Sequence, residues 1–189
     1  MPVEVVPSHV HLSEAHHRIL FGERHSGTVH QELSQAGQFA YAETVDVIGP
    51  NGEVISLRVL GPSRKATQVE LTPTEAGFLG LNAVEALSGD LRAAVDCVLR
   101  TKFATIDASK SVIVPRKHIH LSDSDAHTLR LDHGATVRVD VIGDGARDRT
   151  GFGRRLPTQR HDLVGQELGV ELLVRHLGTL SNRPRVLIA

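Results

Sequence analysis

Residues Pro7–His17 read PSHVHLSEAHH, and residues Pro115–His127 read PRKHIHLSDSDAH. The first stretch alone holds four of the chain's twelve histidines. Both stretches run proline, His-apolar-His, Leu-Ser, then an acidic segment. Each closes a β-branched run, VEVVPSHVHL at Val3–Leu12 and SVIVPRKHIHL at Ser111–Leu121, and each run predicts a single strand that carries its histidine pair. What comes next predicts a helix. Ser13 caps a segment that Gly22 ends, and Ser122, with Asp125 three residues on, caps SDSDAHTLRL. The pentapeptide VDVIG also occurs twice, at Val45–Gly49 and Val139–Gly143, each time after the histidine–helix unit. The chain therefore reads as two related β-rich halves with a boundary near residues 88–110.

Working outward, Ala42–Pro62 places two β-branched runs around Pro-Asn-Gly, a hairpin signal. RKATQVELT predicts another strand. TPTEAGFLGL predicts a short helix with Thr72 as cap, Pro73 in the first turn and Glu75 three residues after the cap. HSGTVHQELSQAGQFA reads as loop, and SGDLRAAVDCVLRTKFATIDASK reads as the link between halves. The Arg- and Gly-rich run from Gly145 to Glu167 reads as a mobile loop, and GVELLVRHL as the last strand, ending near His176.

Composition bounds the class. A chain of 189 residues with 40% hydrophobic content can bury a sizeable core, and with 3% aromatics and no Trp that core rests on Val, Leu, Ile and Ala. A net charge of -1 gives no global pull toward nucleic acid or an acidic membrane surface. The lone Cys97 excludes an internal disulfide and a CxxC metal site, fits a reducing interior, and reads as a buried thiol in a helix-like stretch. No apolar run reaches transmembrane length, and MPVEVVPSH lacks the regions of a signal peptide, so a soluble intracellular protein is expected.

In a strand, residues i and i+2 share a face. His9 therefore projects with His11, and His118 with His120. Imidazole pairs at this spacing suit Zn, Cu, Fe or Ni, with Zn the first choice. Four histidines can make one closed, structural site, or two open, catalytic ones completed by other ligands. Glu70, in a strand expected beside the first pair, and His176, after the last strand, are the further candidate ligands. Arg64, six residues before Glu70, can clamp an oxyanion with its planar fork. His16, His17, His25, His30, His127, His133 and His161 read as solvated surface.

At these residues the sequence resembles the PduL-type phosphate acyltransferases, the phosphate propanoyltransferases. The resemblance lies in SHVHLS, LSQAGQFA, VLGPSRKATQVE, SGD at Ser88–Asp90 and VIVPRKHIHL. It implies a mainly β fold with short helices. Two similar β-barrel domains, 1–95 and 96–189, would pack around a dinuclear zinc site, with strands exchangeable between halves. It implies His9, His11, Glu70, His118, His120 and His176 as ligands of two Zn ions, and Arg64 as the catalytic group that meets phosphate. The implied reaction exchanges a short acyl group between coenzyme A and inorganic phosphate. The implied assembly is a homodimer.

The chain departs from the family pattern at several positions. Ser8 replaces the arginine before the first pair. Lys117 replaces the arginine before the second; it keeps the charge but not the fork, and is assigned to phosphate or coenzyme A. Val84 and Ala86 replace a Pro-x-Arg. Gly178, Leu180 and Ser181 replace acidic residues after His176, while Thr179 is kept. These losses keep two alternatives open: action on another thioester or ester, and a non-catalytic metal-stabilised scaffold. Family members sent to bacterial microcompartments carry an N-terminal extension. This chain starts almost at its first strand, so a cytoplasmic enzyme is expected, or one carried to microcompartment proteins by a partner.

Overall fold

The computed structural model describes residues 3–5, 7–33, 37–116, 118–121, 123–138, 169–174 and 185–188. The chain divides into two compact units, residues 7–115 and residues 1–6 with 116–189. It is mainly β with short helices.

The first unit is built on strands β2 (His9–Ser13), β3 (Val29–Glu32), β4 (Phe39–Ile48), β5 (Val54–Arg64), β6 (Gln68–Glu70), β7 (Glu85–Ala86), β8 (Val95–Arg100) and β9 (Thr105–Pro115). Six of them close into a ring. β4 pairs with β5, β5 with β2, β2 with β6, β6 with β9, β9 with β8, and β8 returns to β4. Closure gives each of the six a hydrogen-bonded neighbour on both sides, so none of them is an edge strand of the ring.

The interior is aliphatic, as the shortage of aromatics requires. Val10, Leu12, Val45, Val47, Val59, Val69, Leu71, Leu99 and Val112 are all at most 1% exposed and belong to one cluster. Each such side chain stabilises the fold by about 1.5–3 kcal/mol relative to exposure. β4 and β5 form the hairpin expected around Pro50-Asn51-Gly52. Gly49 N–H donates to the Glu53 carbonyl at 3.0 Å, and Gly52 takes the left-handed φ of 82° that the turn needs.

Two helices decorate the barrel. α1 (Glu14–Phe21) is capped by the Ser13 hydroxyl, which accepts from His16 N–H, and ends at Gly22. α2 (Pro73–Phe78) carries the expected capping box between Thr72 and Glu75.

The second unit is a sheet of β1 (Val3–Val5), β13 (Arg185–Ile188), β10 (His118–Leu121), β12 (Gly169–Val174) and β11 (Thr136–Arg138), in that spatial order. α3 (Asp123–Leu129) follows β10. The duplication seen in the sequence recurs here. β2 lies between a parallel neighbour, β5, and an antiparallel one, β6; β10 lies between parallel β12 and antiparallel β13. A short helix follows each histidine strand. The second VDVIG, the Arg- and Gly-rich run and Ser122 lie outside the described residues.

Four local readings change. The segment read as a link contains β8 and the start of β9, and it closes the barrel. Cys97 sits in β8, not in a helix, though it is buried as expected. The segment read as a loop contains β3 and the first residues of β4. Each VEVV- or SVIV-type run also ends before its histidine pair. Val3–Val5 and Thr105–Pro115 are strands separate from β2 and β10, which begin only at His9 and His118.

Candidate metal centre

The centre grows out of strand pairing. β2 and β6 run antiparallel with His9 opposite Glu70 and His11 opposite Gln68. The intervening Val10 and Val69, with Leu12 and Leu71, point into the barrel core. The period of two therefore puts His9, His11, Gln68 and Glu70 together on the other face. That face is not solvated: the four are 6%, 2%, 1% and 5% exposed.

Ligand-capable atoms of His9, His11 and Glu70 all lie within 4.8 Å of one another. His9 Nε2 stands 3.5 Å from Glu70 Oε2. The His9 and His11 rings meet edge to face, with centroids 4.9 Å apart. His9 Nδ1 lies 2.9 Å from the Pro7 carbonyl oxygen. A carbonyl only accepts, so Nδ1 carries a proton, and Nε2 is the ring nitrogen that faces the carboxylate. A histidine whose other nitrogen is tied to a carbonyl is how metal sites orient their ligands. Two imidazoles and one carboxylate, buried and converging, fit a divalent transition metal.

Glu70 is held from its other oxygen. Oε1 accepts from the Ser88 hydroxyl at 2.7 Å and from the Gln68 side-chain amide. Arg64, at the end of β5 and opposite Ser13 in register, donates from Nη1 to the same Ser88 hydroxyl at 3.2 Å. One hydroxyl thus joins the guanidinium to the carboxylate. Ser8, which replaces the family arginine, is used elsewhere. Its hydroxyl donates to Glu75 Oε2 and accepts from Thr72 N–H at 3.1 Å, which fastens the entry of β2 to the α2 cap.

The family model of phosphate propanoyltransferase matches residues 2–151. A phosphate propanoyltransferase of Alkaliphilus metalliredigens is 38% identical over 141 residues, which is 75% of this chain and 66% of that protein. One of Shewanella putrefaciens is 39% identical over 143 residues, 76% of this chain and 67% of that protein. One of Salmonella typhimurium is 38% identical over 144 residues, 76% and 68%. The chain belongs to the phosphate propanoyltransferase family. Its relatives are enzymes by name, and the matched segment spans about two thirds of their length. The phosphate propanoyltransferase match takes in every predicted site residue except His176, which lies beyond it.

His118, on β10, is 5% exposed and repeats the device of His9. Its Nδ1 donates to the carbonyl of the residue two positions earlier, Arg116, at 2.6 Å. In both copies the first histidine of the pair is tied at Nδ1 and offers Nε2. His120 is placed on β10 by its backbone, and its side chain lies outside the described residues, as do Lys117 and His176 entirely.

Not every other histidine is surface. His17 is 8% exposed, between Phe21, His25 and Tyr41. Burial, and then the neighbouring His25, pull its imidazole below the ordinary value, against the opposing pull of Glu43. The signal was the spacing: His17, Leu20 and Phe21 form an i, i+3, i+4 stripe on α1. His16 is half-buried, with Nδ1 at 2.8 Å from the Thr67 hydroxyl. Burial pushes the Cys97 thiol up to about 11, so it is an unreactive core group.

Gln68 and Ser88 were missed by sequence reasoning. Gln68 was findable, since it stands two residues before Glu70 in a strand. Ser88 stands in the SGD segment noted in the sequence, but only the tertiary fold brings it eighteen residues back to Glu70.

Proposed function

We propose that the chain is a zinc-dependent phosphate acyltransferase, exchanging a short acyl group between coenzyme A and inorganic phosphate. The observation that carries this reading is the buried convergence of His9, His11 and Glu70 beside Arg64. Two imidazoles and a carboxylate leave a coordination position open, which is the donor set of a catalytic rather than a structural zinc. A zinc ion held there would act as a Lewis acid, stabilising negative charge on a bound oxygen.

The chain's own groups have separable roles in this proposal. Arg64 offers a two-pronged donor to phosphate oxygens and fixes the attacking oxygen beside the thioester carbonyl. As that oxygen bonds to the carbonyl carbon, the same cation offsets the charge that develops. The carbon–sulfur bond then breaks, the thiolate leaves and takes up a proton, and acyl phosphate remains. Lys117 contributes a second positive charge toward phosphate or coenzyme A. His118, His120 and His176 supply ligands to a second ion, with His118 already oriented by its Arg116 bond. The same reading takes residues 116–189 as part of a second barrel-like half, and the chain as a cytoplasmic homodimer able to associate with microcompartment proteins.

The test is metal content per chain together with release of coenzyme A from acetyl- and propanoyl-CoA, with and without phosphate. The expected result is two metal ions and strictly phosphate-dependent release. His11→Ala is expected to stay folded and lose turnover, and Arg64→Ala to lower kcat/KM by about 100-fold or more, the scale for removing one charge-stabilising donor. Release of coenzyme A without phosphate would point to a hydrolase, the reading that the loss of arginine at Ser8 favours. Bound metal with no turnover on either thioester would leave the scaffold reading.

A further inference from the structure

The side chain of Gln68 has no part in the scheme above, yet it is among the most deeply buried polar groups of the barrel, at 1% exposed. Two of its hydrogen-bond partners have one role each. Gly89 N–H can only donate, and it donates to Gln68 Oε1 at 2.8 Å. The Glu70 carboxylate accepts, and Gln68 Nε2 donates to its Oε1. The same nitrogen also donates to the Ser88 hydroxyl at 3.1 Å. The orientation of the amide is therefore fixed at both ends, and Gln68 locks the Ser88–Gly89 turn to the β6 carboxylate.

We propose that Gln68 is the positioning residue of the metal centre: it makes Glu70 a one-oxygen ligand. Two donors, Gln68 Nε2 and Ser88 Oγ, converge on Oε1, while Oε2 stands 3.5 Å from His9 Nε2. With Oε1 so occupied, Oε2 is the oxygen that faces the His9 imidazole. Through Ser88 the same amide sets the distance from Glu70 to Arg64. This inference rests on the metal reading of His9, His11 and Glu70. Partners that orient ligands in this way typically change metal affinity by about 10–100-fold when removed.

The experiment uses the full chain, stripped of metal and reloaded with Co2+, for wild type, Gln68→Met and His9→Ala. Affinity is measured by competition with a chromophoric chelator, and ligand geometry by the visible absorption of bound Co2+. The expected result is a roughly 10–100-fold weaker site and a changed Co2+ spectrum in Gln68→Met, with unfolding still cooperative. Gln68→Met binding Co2+ as tightly as wild type with the same spectrum would overturn the proposal. His9→Ala separates the two layers: if it binds like wild type, the metal reading itself fails. Should Gln68→Met not fold, Gln68→Asn keeps the amide one methylene too short to span Glu70 and Gly89. The same weakening and spectral change are expected of it, and wild-type affinity and spectrum in that variant would equally sink the proposal.

Discussion

At the scale of single residues, the repeated VDVIG shows how a small side chain can be dictated by a distant backbone. A Cβ added at Gly49 would lie 1.8 Å from the Leu79 carbonyl oxygen and 2.7 Å from its carbon. Gly49 has no positive φ, so the constraint is space rather than backbone conformation. The obstacle is the backbone after α2, which cannot rotate away as a side chain could. Gly49→Ala is therefore expected to destabilise the barrel by about 1–3 kcal/mol or more, the range for overpacking a tight core. Thermal or denaturant unfolding of the variant checks this; a midpoint unchanged from wild type would show that α2 is free to shift. The same scale explains what the histidine pairs disclosed. His-x-His in a strand announces two imidazoles on one face whatever the fold, so His9 and His11 were legible. Their partners were legible only in part. Glu70 is identified by the strand it sits in, whereas the Ser88 bond depends on a turn that no local pattern specifies.

At the scale of elements, α2 is the one whose local chemistry is most completely written in the chain. Thr72, Pro73 and Glu75 occupy cap, first turn and third helical position, and the capping box forms as expected. The structure adds Ser8, which ties this box to the entry of β2. Burial alone would raise the Glu75 carboxyl, but the bonds from Ser8 and Thr72 outweigh it and hold it below the ordinary value of 4.5. A carboxyl depressed in the folded state stabilises the fold in full above the unfolded pKa. That contribution is lost as pH falls from about 4.5 through the folded value, because the unfolded chain then binds more protons. Glu75→Gln is expected to flatten this acid-side loss of stability, and Ser8→Ala to cost about 0.5–2 kcal/mol at neutral pH, the scale of a lost cap. Chemical denaturation at pH 7 and pH 4 checks both; equal acid sensitivity in Glu75→Gln and wild type would contradict the assignment. Other elements were hidden for physical reasons. All four residues of β3 are exposed, so it shows no alternation of apolar and polar side chains. β8 carries Asp96 and Arg100 on its exposed positions, which gave the segment the polar texture of a linker.

At the scale of the whole molecule, duplication was visible in the sequence but the path of the chain was not. A repeat of strand and helix says that each copy needs neighbours, not which later strands will supply them. The barrel closes only because β8 and β9, written after the apparent end of the first half, pair with β4 and β6. β1, written before that half, pairs instead with β13 at the far end of the chain. These pairings are long in sequence, and their register is set by burial on one face rather than by local propensity. The consequence can be tested. All six strands of the ring, the core cluster, and His9, His11, Glu70, Ser88 and Arg64 lie within residues 7–115. A domain of that length can bury enough apolar surface to fold by itself. The fragment 7–115 is therefore expected to be folded, to unfold in one cooperative transition, and to bind a single divalent ion that His9→Ala removes. The intact chain would bind two under the proposed function. Circular dichroism, denaturant unfolding and metal titration of the fragment decide it. A disordered fragment would mean that strand closure alone does not stabilise the barrel. A folded fragment without metal would mean that His9, His11 and Glu70 do not form a complete site without residues beyond Pro115.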